Sequence, residues 1–142
     1  MFIPDLKKEP VSVLPDEDID FEIASNSELC FVGWLDKSVP FSSGRVTDAL
    51  IRKLGLACLK SVMVTRGYHQ CPFCASADID VPILKVLIEN QTAYLGHAEI
   101  WIPQDRHLIF RAPNLIYHYV VAHNYLPPSE FRHALDSYIE EP

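Results

Sequence analysis

Arg66-Gly67-Tyr68-His69-Gln70-Cys71-Pro72-Phe73-Cys74 sets two cysteines on a short loop stiffened by Pro72, with a histidine just upstream. A second half-site follows in His118-Tyr119-Val120-Val121-Ala122-His123. Cys-x2-Cys and then His-x4-His supply the two thiolates and two imidazoles of a closed tetrahedral zinc site, whose ligands must converge at roughly 2.0–2.3 Å. The cysteines converge readily from such a loop. The histidines do not, because residues five apart on an ideal helix point about 140° away from each other. Both reach one ion only if the helix loosens or ends at the second, and Asn124 followed by Pro127-Pro128 offers that ending. Otherwise His69 takes the fourth position. The expected metal ligands are therefore Cys71, Cys74 and His118, with His69 and His123 competing for the last place.

The surrounding pattern reads as an α+β class: a single compact domain with a small antiparallel sheet and about three helices, clasped by this Cys/His zinc site. Leu29-Cys30-Phe31-Val32-Gly33-Trp34-Leu35 has the character of a buried strand. Thr47 can cap a helix carrying Ala49, Leu50, Leu54, Ala57 and Cys58 at helical spacing, although Gly55 inside it costs roughly 1 kcal/mol relative to alanine. Strands are expected at 82–88 and 93–102, with 107–110 returning antiparallel across a turn at 103–106. Pro113 is placed to open a helix through Tyr119 and Val120, and a last amphipathic helix begins near Ser129. Cys30 and Cys58 lie in apolar runs and read as buried thiols.

With 142 residues, 49% hydrophobic and 22% charged, the chain has enough apolar material for a core. It has no apolar run of membrane-spanning length, and its first residues lack the basic-then-apolar start of a secretory signal, so the cytoplasm is expected. The net charge of −7 is concentrated. Residues 1–29 hold eight acidic side chains against Lys7 and Lys8, which leaves 30–142 nearly neutral. The segment 1–29 is expected to be an acidic arm outside a zinc-clasped domain spanning 30–142, dispensable for folding and suited to a basic protein partner. With no basic stripe to neutralise phosphates, direct nucleic-acid binding is disfavoured.

Catalytic readings are thinner. His97-Ala98-Glu99 with Cys71-x2-Cys74 is similar to the ligand set of zinc deaminases, but here the His-x-Glu segment follows the cysteines, and the proline lies between them. No phosphate loop or nucleophile elbow is present. An open zinc with His118 or His123 and Glu99 nearby would instead give a zinc-dependent, hydrolase-type enzyme. A redox Cys-x-x-Cys module is the remaining alternative.

Four segments resemble an uncharacterised family of small bacterial proteins: Val32-Gly33-Trp34-Leu35-Asp36, Arg66-Gly67-Tyr68-His69-x-Cys71-x-x-Cys74, Leu95-Gly96-x-x-Glu99-Ile100, and Ala112-Pro113-x-Leu115-Ile116-x-His118-Tyr119-Val120-x-x-His123-x-Tyr125-x-Pro127-Pro128-x-x-Phe131. The likeness runs over residues 30–135, and it implies a compact domain with a Cys/His cluster and no assigned activity. Asp78-Ile79-Asp80-Val81-Pro82-Ile83 departs from that pattern and is expected to form a surface feature of its own. Small size, acidity and the missing catalytic motifs point to a non-enzymatic, protein-binding domain with a structural zinc. The sharpest form of that expectation is an inhibitor or immunity protein that neutralises a bacterial toxin through a basic toxin domain.

Overall fold

The apolar run at 29–35 supplies the centre of a sheet. The computed structural model describes residues 2–74 and 83–139. Strands β1 (Lys8–Pro10), β2 (Glu28–Phe31), β5 (Glu99–Asp105) and β6 (Leu108–Pro113) form one sheet in the order β1-β2-β6-β5, and β3 (Lys85–Ile88) and β4 (Gln91–Tyr94) form a separate hairpin. Helices α1 (Asp48–Cys58), α2 (Ile116–His123) and α3 (Ser129–Tyr138) complete an α+β domain. No helix among the described residues is long and apolar enough to cross a membrane. The stretch 78–83 lies outside the described residues except for Ile83.

The sheet is mixed. β1 and β5 run antiparallel to their neighbours, but β2 and β6 pair in parallel, from Glu28↔Leu108 to Phe31↔Arg111. Parallel neighbours need a long return path, and here the whole of α1 and the β3–β4 hairpin lies between them. The β5–β6 hairpin turns later than the 103–106 expected from sequence. β5 carries Pro103 on through a bulge to Asp105, whose carboxylate accepts the N–H groups of His107 (2.7 Å) and Leu108 (3.0 Å). Proline is tolerated there because β5 is an edge strand.

Side chains alternate across this sheet. Cys30, Ile100, Ile102 and Phe110 join the main core with α1, α2 and α3, where the Phe110 and Phe131 rings meet edge to face at 5.7 Å. Leu29, Trp101 and Ile109 face the other way and form a second cluster with Val62. Val11, Ile19, Phe21 and Ile23 pack against this second cluster. The N-terminal segment is therefore a cover for one face of the sheet, not the arm outside the domain that its charge suggests.

It is also stitched at its polar residues. Asp5 accepts hydrogen bonds from the Gly33 N–H (3.0 Å) and from the hydroxyl of the fully buried Tyr125 (2.7 Å). Glu17 accepts the N–H groups of Met63 and Val64 at 3.0 and 3.2 Å. Glu9 pairs with Arg111 at 3.7 Å and Glu22 with Arg106 at 3.8 Å, and Asp20 accepts from the Tyr138 hydroxyl and from Lys60. Five of the eight acids thus reach the body; Asp16, Asp18, Asp20, Glu22 and Glu28 are nonetheless exposed.

Candidate metal centre

The cysteine loop has little regular structure and is hung from the start of β5. Thr65 N–H donates to His97 O at 2.8 Å, and His69 N–H donates to Gly96 O at 2.7 Å. Gly96 has φ +104, and a Cβ there would sit 2.5 Å from His69 O, so this close approach requires glycine. At its far end the loop closes a turn, with Cys74 N–H donating to Cys71 O at 3.2 Å. The Phe73 and Cys74 N–H groups also point at the sulfur of Cys71, which suits a thiolate. Cys71 is fully buried and Cys74 exposed.

The histidine half-site depends on where α2 stops. His123 is its last residue, and Asn124 turns left-handed at φ 56°, its N–H returning to Tyr119 O. That is the ending the His-x4-His spacing required. The two rings meet edge to face, with centroids 5.0 Å apart. His123 Nε2 lies 3.4 Å from both sulfurs, and His118 Nε2 lies 3.4 Å from Cys74 Sγ. A tetrahedral ion with thiolates at ~2.3 Å and imidazoles at ~2.05 Å sets sulfur and nitrogen about 3.6 Å apart. The observed separations are close to that edge, and the four donor atoms of Cys71, Cys74, His118 and His123 all lie within 4.8 Å of one another. The cluster can coordinate a metal.

Its chemistry suits the task. Burial, assisted by His123, lowers the His118 pKa and keeps the neutral imidazole a metal needs. Burial pushes the Cys71 thiol up, so a cation would have to supply the compensating charge for a thiolate. Phe73 walls the site, packing edge-on to Phe41 at 5.3 Å and Tyr119 at 5.8 Å, and lying 5.1 Å from the His123 ring.

His69 is not in this cluster. Its backbone is used to anchor the loop, and the residue lines a separate cavity. Glu99 is also elsewhere. It takes both Nε and Nη2 of Arg111, at 2.7 and 2.9 Å, and accepts the Trp101 indole N–H at 3.0 Å. A carboxylate engaged in this way is not a free base beside an open metal. Cys30 and Cys58 are buried free thiols, and burial raises that of Cys58 to about 12.

Sequence reasoning missed Asn114. It is fully buried, accepts the Gly96 N–H at 2.7 Å, and donates to Tyr94 O at 3.0 Å and Ser61 Oγ at 3.3 Å. It therefore fixes the glycine on which the cysteine loop hangs. Its position just before α2 is the only signal the chain gives, and the same spot explains why Pro113 ends β6 and does not open the helix.

A family model described as a domain of unknown function (DUF7919) matches residues 1–136, a span that includes the N-terminal cover. No curated protein and no solved structure matches the chain.

Proposed function

The chain belongs to the DUF7919 family, and we propose that it is a non-enzymatic protein-binding domain held in shape by one structural zinc on Cys71, Cys74, His118 and His123. The observation that carries this reading is a cluster of four donors, as many as a tetrahedral site takes, supplied by protein side chains alone and with no carboxylate among them. Catalytic zinc keeps a ligand position for water beside a base. Zinc is preferred over other divalent metals because paired thiolates and imidazoles in tetrahedral array are its usual donors.

The narrower reading is an inhibitor of a basic protein, of the immunity type that blocks a toxin. Its support is the exposed acid of Asp16, Asp18, Asp20 and Glu22 on the sheet cover, with the exposed Glu28 at the start of β2. A preorganised acidic face gives fast, salt-sensitive association with a basic cleft.

Elemental analysis with a thermal melt tests the zinc. One zinc per chain is expected in the wild type and in His69→Ala, and it should be lost, with a large fall in melting temperature, in Cys71→Ser and His123→Ala. Zinc that exchanges freely while the fold persists would point to an open, catalytic site. For the partner, tagged wild-type protein should retain a basic protein that salt elutes, and a D16N/D18N/E22Q/E28Q variant should not. Equal retention by both would remove the acidic face from the account.

A further inference from the structure

The two cysteines of the metal cluster differ in what can reach them. Cys71 is fully buried, whereas Cys74 is exposed. The other two cysteines, Cys30 and Cys58, are buried and lie outside the cluster. We propose that Cys71 and Cys74 form a site of reversible oxidation, at which a hydroperoxide converts the zinc-bound pair to a disulfide and releases the metal. The inference deepens the proposed function and rests on its zinc.

Two observations carry it. The first is the span of the turn. Cys74 N–H donates to Cys71 O at 3.2 Å, and a turn closed in this way holds its end Cα atoms within about 7 Å. A disulfide bridges Cα atoms about 4.4–6.8 Å apart. The two sulfurs already lie within 4.8 Å of each other. Joining them takes side-chain rotation and little backbone movement. The turn that presents two thiolates to an ion is thus also the size that a disulfide closes.

The second observation is the asymmetry of access. A peroxide arriving from solvent meets Cys74 before Cys71. The Cys74 sulfur attacks one oxygen of hydrogen peroxide, the O–O bond breaks, and the departing hydroxide takes a proton from solvent. Cys74 is left as a sulfenic acid. The Cys71 sulfur then attacks it, forming the S–S bond and breaking the S–O bond, and this second hydroxide is also protonated to water. Two thiolates have given up two electrons, and the peroxide has become two waters. A resolving sulfur this close intercepts the sulfenic acid before further peroxide carries it to the irreversible sulfinic acid. Oxidation leaves His118 and His123 as the cluster's remaining donors, and two imidazoles do not retain an ion bound by four ligands.

The test treats folded, zinc-loaded protein with hydrogen peroxide in the presence of a chromogenic zinc chelator and follows the products by mass spectrometry. Zinc should be released in step with the peroxide added and with the loss of two hydrogens per chain, mapped to a 71–74 disulfide. A dithiol reductant with added zinc should restore the starting state. Cys74→His preserves four donors but cannot form the bridge, and the zinc-loaded variant should release its metal at least about tenfold more slowly. Protein purified without zinc would overturn the proposed function and this inference together. Three other results would overturn the inference alone and leave the structural zinc standing: zinc retained after peroxide, zinc released with sulfinic or sulfonic acid in place of the disulfide, or a zinc-loaded Cys74→His variant that releases metal as fast as the wild type.

Discussion

Asp5→Ala should unfold the domain more readily than any change at an exposed acid nearby. The Asp5 carboxylate accepts from the buried Tyr125 hydroxyl at 2.7 Å and from the Gly33 N–H at 3.0 Å, joining residues 120 and 28 positions apart. Hydrogen bonds to a charged group contribute roughly 1.5–3 kcal/mol each. Truncation also leaves a fully buried phenol and the buried Gly33 amide with only each other as partners. Asp5 is half-buried, so water recovers part of the loss, and a net cost of about 3 kcal/mol follows. For a chain of this length that is a fall in melting temperature of about 10 °C. Tyr125→Phe keeps the ring and loses one bond, at a cost of about 1.5–2 kcal/mol. In the Asp5→Ala background the same change removes a stranded hydroxyl and should cost almost nothing. Urea denaturation of the four proteins therefore gives a coupling of about 1.5 kcal/mol or more. Additive effects, or an Asp5→Ala melt within about 2 °C of wild type, would show that the N-terminal segment is the dispensable arm its charge suggests.

Gly55→Ala in an exposed helix would add about 1 kcal/mol of helix stability. Here the new Cβ meets Ile88 Cδ1 at 2.5 Å and Tyr117 Cε2 at 3.3 Å. Overpacking of ~1–3 kcal/mol should prevail, and calorimetry should show net destabilisation of about 1 kcal/mol. Ile88→Val removes the clashing methyl, so adding Gly55→Ala to it should stabilise; the same sign in both backgrounds would refute the contact. The Cys58 thiol, raised by burial from 9.0 to about 12, favours the folded state while protonated. Its contribution is present in full below pH 9.0 and is lost as pH rises from there toward 12. A Cys58→Ala variant should show a shallower loss of stability across that window in urea titrations, and an unchanged slope would refute the assignment. In chelated native protein, Ellman's reagent should reach Cys74 quickly and Cys58 only on unfolding.

Some of the structure was legible because its causes are local. Thr47 accepts the Leu50 N–H and starts α1, and Asn124 takes the left-handed turn that ends α2, each a property of one residue and its neighbours. The Cys-x2-Cys turn is equally local, and the His pair needed only the helix ending that Asn124 supplies. The parallel seam between β2 and β6 was not legible, because a strand's own residues do not specify the direction of its partner. The roles of Asp5 and Glu17 were hidden for a similar reason. In sequence they belong to an acidic run that reads as solvated, and only Tyr125 and the amides of Met63 and Val64 show otherwise. His69 misled because proximity in sequence placed it with the cysteines, whereas its backbone bond to Gly96 assigns it to the opposite end of the loop.

The placement of the metal cluster follows from where the chain is least constrained. Between α1 and the cysteine turn, residues 59–74 form no helix or strand beyond a bridge at Val62. Their backbone is tied to the body through Val62, Thr65 and His69 against 96–99, and through the Met63 and Val64 amides to Glu17. Beyond these ties the loop places Cys71 in the core and Phe73 against Phe41 and Tyr119. Those contacts work against roughly 1–2 kcal/mol of backbone entropy per ordered residue. A metal shared with the end of α2 would add free energy at this end of the loop, where closing the loop on the helix reduces the freedom of the unfolded chain. Metal removal should therefore act locally first. Amide exchange at 70–74 and at the last turn of α2 should accelerate before that of β2 and β6. Uniform acceleration across the sheet would mean that the cluster supports the whole core and not this loop.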